Sequence, residues 1–147
     1  PRLRGPRRAT VDYAPMTSAK NPVSSWSTLC VVATTVPSAE EAGHLARSLV
    51  QQQAAACVQV EAITSHYVWD GELHATPEWR LVCKTLPDVL ERLARLLRAG
   101  HRYSVPQITM RTERCMADYA QWLRSQVSTR DVADAAEKAA APRVTAA

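Results

Sequence analysis

The dipeptide Asp70-Gly71 interrupts two long strand-like runs. Before it, residues 56–70 are rich in β-branched and aromatic side chains. After it, residues 72–85 alternate, with Trp79, Leu81 and Cys83 set against Arg80, Val82 and Lys84. Asp-Gly between two such runs favours a two-residue hairpin turn whose twist matches that of the strands. A hairpin this long overhangs a small domain, and the overhang needs a partner. A bend or bulge near residues 62–64 is expected to accommodate its length.

The other elements are placed around this hairpin. Residues 28–36, TLCVVATTV, form a short β-branched apolar run that fits a central strand ended by Pro37. Ser38 and Glu41 stand at capping-box spacing. Ala42, Leu45, Ala46, Leu49 and Val50 follow at helical spacing, predicting a helix over 38–53. Pro87 opens a second helix with Val89, Leu90, Leu93, Leu96 and Leu97 on its apolar face and Arg92, Arg95 and Arg98 on another. Gly100 is its expected stop. Residues 107–111 alternate as a fourth strand, and Met116, Tyr119, Trp122 and Leu123 mark a third helix over about 115–126. The order β-α-β-β-α-β, then α, predicts an α+β, ferredoxin-like domain over 28–126. Its helices cover one sheet face, and oligomerisation covers the other.

Charge narrows the function classes. Arg2, Arg4, Arg7, Arg8 and Lys20 face only Asp12 within residues 1–27, so this segment holds the whole net charge of +4 and the rest is balanced. Nucleic-acid binding requires positive charge on the folded surface, so no nucleic-acid partner is expected. The absence of Phe and the lack of a glycine beside Trp79 also argue against an RNA-binding domain of the same topology. Residues 1–27 read as a disordered arm or translated upstream sequence, and residues 127–147 as an Ala-rich tail. No apolar run reaches the length of a membrane span, so no membrane partner is expected. With four glycines in the whole chain there is no glycine-rich anion loop of the acylphosphatase kind, and no nucleophile–base spacing suggests an enzyme. Cys30, Cys57, Cys83 and Cys115 lack C-x-x-C spacing and read as free thiols in a reducing, cytoplasmic setting.

Several short motifs occur in register on these elements: Ala54-Ala55-Ala56-Cys57-Val58, Ser65-x-Tyr67-x-Trp69-x-Gly71, Lys84-Thr85, His101-x-Tyr103-x-Val105-Pro106 and Tyr119-x-x-Trp122-Leu123. Together they resemble the CutA divalent-cation-tolerance family over residues 28–125. The resemblance implies a homotrimer whose hairpins wrap neighbouring subunits and whose architecture is similar to the PII signalling trimers. It also implies a non-catalytic role in tolerance of copper or another divalent metal. Three positions depart from the family pattern. Arg102 replaces a proline, Gln107 replaces a glutamate, and Thr34 stands where some bacterial members carry a cysteine.

Cys57 and His101 are the metal candidates, since thiolate and imidazole are ligands for copper and zinc. Cys57 fits a small buried hydrophobe equally well, and His101 fits a solvated loop histidine. A third ligand would have to come across a trimer interface. His66 and His74 flank the hairpin turn, and His44 lies alone on the first helix. Tyr67, Trp69 and Trp79 suit inter-subunit packing. Lys84, beside the loop of Tyr103 and near Trp69, would make a cleft for a small anion. The analogy of architecture, with Lys84 and Arg102, supports a second reading, a PII-like signalling protein that binds a small anionic ligand between subunits and contacts an unidentified protein partner.

Overall fold

The computed structural model describes residues 25–131. Most of the expected N-terminal arm and of the Ala-rich tail therefore lies outside the described residues. Strand β1 (Trp26–Val36) is buried on both faces from Leu29 onward, which accounts for its unbroken apolar run. Pro37 ends it. Ser38 then caps helix α1 (Ala39–Gln51), its hydroxyl accepting from the Glu41 N–H at 3.1 Å. The Glu41 side chain does not return to close the capping box. It pairs instead with Arg102 at 2.9 Å.

Strands β2 (Cys57–Trp69) and β3 (Glu72–Thr85) form the hairpin. Asp70 and Gly71 both take positive φ, +50° and +81°, as a primed two-residue turn demands. The expected bulge near residues 62–64 is absent. Pairing runs unbroken from Cys57 opposite Lys84 to Trp69 opposite Glu72. The hairpin's length is accommodated by overhang instead. β3 pairs with β1 only from Trp79 to Thr85, so residues 72–78 and their β2 partners project as a two-stranded ribbon of about 23 Å.

A short 3-10 turn (Pro87–Val89) leads into helix α2 (Leu90–Gly100), and strand β4 (Ile108–Met116) precedes helix α3 (Ala117–Gln126). β4 extends five residues beyond the stretch that alternation indicated, because it follows β1 down to Trp26. Gly100 is the last residue of α2 rather than a left-handed cap after it. A Cβ there would stand 3.2 Å from Leu45 Cδ1, so the glycine serves the close approach of α2 to α1.

The sheet order is β2-β3-β1-β4, all antiparallel. Helices α1 and α2 cover one face, where Ala42, Leu45, Leu49, Leu93 and Leu97 meet Val32, Val36, Leu81 and Cys83. Trp79 packs against this same core, so its ring serves packing within the chain more than the exposed hairpin surface. On the other face α3 covers only one end, where Leu123 meets Leu29, Val31 and Leu86. Each buried leucine contributes about 1.5–3 kcal/mol of burial free energy. The far end of that second face is left to the ribbon and to the loop before β4.

Candidate functional site

The loop between α2 and β4 is held by His101. The Tyr103 N–H donates to His101 Nδ1 at 3.3 Å, so the neutral ring carries its proton on Nε2. Nε2 stands 3.0 Å from Thr34 Oγ1 and donates to it. The Thr34 hydroxyl donates onward to the Gln107 carbonyl at 2.6 Å. Thr34 is fully buried on the α1–α2 face of β1. Burial pushes the imidazole below its ordinary value, opposed by the Thr35 carbonyl and Glu41, with Arg98 adding to the depression and Glu78 to the opposition. His101 is thus a neutral clamp that ties both ends of the loop to β1.

The clamped loop presents Tyr103 to the ribbon. Register places Tyr67, Trp69, His74 and Glu78 on one face, the face opposite α1 and α2. These four line a cleft of about 350 Å³ with Thr35, Tyr103, Ser104, Val105 and Gln107. Glu78 is only 8% exposed, and its carboxylate accepts from the Tyr103 hydroxyl at 2.8 Å. Burial first, then the bond and charge of Glu78, hold the Tyr103 phenol well above its ordinary value. His74 stacks on Tyr67, with centroids 5.3 Å apart, and the Tyr67 hydroxyl lies 3.2 Å from Thr76 Oγ1. Glu78 and His74 were missed as cleft residues by sequence reasoning. The period-2 register from Asp70-Gly71 would have placed both beside Tyr67.

Tyr103 and Trp69 do line one cleft, as expected, but Lys84 does not join them. It lies opposite Val31, four residues along β1 from the cleft residue Thr35 or about 13 Å, and its ammonium sits 5.9 Å from the Tyr119 ring centroid of α3. The expected anion cleft therefore loses its cation. Among the described residues, the Glu78 carboxylate is the acidic side chain that lines the cleft, and no lysine or arginine joins it.

The metal candidates are not brought together either. Cys57 lies opposite Lys84 on the α3 face and is half-buried, whereas His101 meets β1 on the α1–α2 face. Both ring nitrogens of His101 are engaged, and Thr34 supplies a hydroxyl that hydrogen-bonds instead of ligating. Among the described residues no group of three or more His, Cys, Asp or Glu could hold a metal ion. One chain by itself does not fit a metal at His101. Of the other histidines, His66 is exposed on the ribbon and His44 is exposed on α1.

The profile of the CutA1 divalent ion tolerance proteins matches residues 30–126. The chain is 39% identical over 103 residues to the chloroplastic protein CutA of Arabidopsis thaliana, covering 69% of this chain and 56% of that one. It is 38% identical over 96 residues to the divalent-cation tolerance protein CutA of Thermus thermophilus, covering 64% of this chain and 93% of the relative. Thus it spans little more than half of the plant relative and nearly all of the bacterial one. Among solved structures, CutA from Synechococcus elongatus superposes with a TM-score of 0.68 at 33% identity, over 71% of this chain and 97% of that one. CutA1 from Oryza sativa superposes with a TM-score of 0.66 at 30% identity, over 70% and 96% of the two chains.

Proposed function

Because the chain belongs to the CutA1 divalent ion tolerance family, we propose that it serves divalent-cation tolerance as a homotrimer, without a catalytic reaction. Copper or another divalent metal is then held where copies meet. The observation that carries this reading is the ribbon beyond β1. Val68, Trp69 and Leu73 are 65%, 54% and 79% exposed on an element that no other strand flanks among the described residues. Exposed apolar ribbon invites pairing, and burial on neighbouring copies is the symmetric way to remove it from water. The β2-β3-β1-β4 order with two helices on one face supports a ferredoxin-like arrangement. The separation of Cys57 from His101 supports metal donors drawn from more than one copy. Four free thiols suit a reducing cytoplasm.

Light scattering on the intact protein tests the assembly, with three times the 16.2 kDa chain mass expected. A monomer would remove the ground for the whole reading. Copper titration of the reduced assembly tests the ligands. Cys57→Ser weakens binding, whereas His101→Ala acts only through stability. Unchanged copper affinity in Cys57→Ser would eliminate that thiol.

A further inference from the structure

We infer that the cleft between the ribbon and the 103–107 loop receives an organic cation, an alkylammonium or guanidinium group seated at Glu78 among the rings of Tyr67, Trp69 and Tyr103. This goes beyond metal tolerance and does not depend on it. Glu78 is more than nine-tenths buried, and no salt bridge reaches it among the described residues. A carboxylate largely withdrawn from water gains from a counter-charge, and among the described residues this one has a single hydrogen bond, from Tyr103, and no cation beside it. Among the described residues no lysine or arginine lines the cleft, so a cationic occupant supplies the counter-charge that these walls lack.

The form of that charge follows from the walls. A bare divalent ion needs several nitrogen, sulfur or oxygen donors at fixed distances. Among the described lining residues the cleft offers one carboxylate and one imidazole; the other polar groups are neutral hydroxyls and the Gln107 amide, and the imidazole ring is stacked on Tyr67. Aromatic faces attract a diffuse organic cation without demanding ligand geometry, and an aromatic cage beside a carboxylate is a chemical match for a substituted ammonium. The Tyr103 ring is fixed for this use at both ends. Its backbone N–H is tied to His101 and its hydroxyl to Glu78. A volume of about 350 Å³ suits a small ligand or one long side chain. The cation can therefore come from two sources, a free small amine or a lysine or arginine of a neighbouring copy.

Calorimetric titration of the intact protein with tetramethylammonium chloride, against potassium chloride at equal ionic strength, distinguishes these sources. Saturable binding to the wild type is expected, weakened about tenfold or more in Glu78→Gln and several-fold in Trp69→Ala. Glu78→Gln keeps a carbonyl for the Tyr103 hydroxyl, and circular dichroism verifies that both variants fold. If tetramethylammonium does not bind but Glu78→Gln weakens the assembly by light scattering, the cation belongs to a neighbouring copy. No binding together with an unchanged assembly overturns the inference. So does equal binding by the wild type and Glu78→Gln, and so does saturable binding of inorganic phosphate in the cleft.

Discussion

The hydroxyl of Tyr103 donates to the Glu78 carboxylate at 2.8 Å, joining the loop before β4 to the point where β3 leaves β1 and becomes free ribbon. The two residues are twenty-five positions apart in sequence. Their contact fixes the floor of the cleft and the angle at which the loop meets the hairpin.

Tyr103→Phe removes the one donor among the described residues that reaches the Glu78 carboxylate. The variant is expected to lose about 1–3 kcal/mol in urea unfolding, the cost of leaving a buried acceptor unpaired. Glu78→Gln, which retains an acceptor, loses less. A Tyr103→Phe loss below about 0.5 kcal/mol would mean that the bond adds nothing beyond what water supplies.

Acidification tests the His101 clamp. The imidazole is held below its ordinary value in the folded protein, chiefly by burial, so the unfolded chain takes up the proton first. The contribution to stability is complete above the unfolded value of about 6.5 and falls as pH drops from there through the folded value. Urea midpoints are expected to decline over that window in the wild type and to decline less in His101→Gln. Equal slopes in the two proteins would rule out His101 as the titrating group.

Arg92 on α2 is 4% exposed and donates through Nε to Asp131 at 2.8 Å, with Nη1 3.4 Å from the Ser128 carbonyl. Its Nη2 has no partner among the described residues. Asp131→Ala is expected to cost about 1–3 kcal/mol despite the exposure of Asp131, because a buried guanidinium is left uncompensated. Arg92→Met added to that background restores much of the loss. Thermal unfolding of the single and double variants measures both steps, and a double variant no better than Asp131→Ala would contradict the account.

Gly71→Ala tests the hairpin turn. At φ +81° an alanine is strained although no atom lies within 4 Å of its Cβ. A loss of about 1 kcal/mol is expected from backbone strain alone. Gly100→Ala is the contrast, since its φ is not left-handed and any cost comes from its Cβ pressing on Leu45 Cδ1 at 3.2 Å rather than from backbone strain. A Gly71→Ala variant as stable as the wild type would mean that the turn relaxes to another type.

The element order was legible because each element carries a local signal: the Asp-Gly turn, the Ser38 cap, Pro37 and Pro87 at boundaries, and leucines at helical spacing. Where local signals competed with packing, packing won. Gly100 reads as a helix stop and does end α2, but through close packing on Leu45 rather than through a left-handed cap. The hairpin's length suggested a bulge, yet the ladder is continuous and the surplus projects beyond β1. The candidate site was legible only in part. Tyr103 and Trp69 were found through motif and aromatic character, but Lys84 was misplaced because position along the sheet depends on inter-strand register.

The sequence alone determined which segments are strands and helices, their order, and the family to which the chain belongs. These depend on periodicity, turn chemistry and motif spacing, all of which act over a few residues. Tertiary structure decided which side chains meet. It set Cys57 and His101 on opposite faces, tied both nitrogens of His101, moved Lys84 onto Tyr119 and buried Glu78 beneath Tyr103. The physical reason is that pairing register and loop closure bring together residues dozens of positions apart, and the free energies that select one register come from burial across the whole sheet rather than from any local stretch.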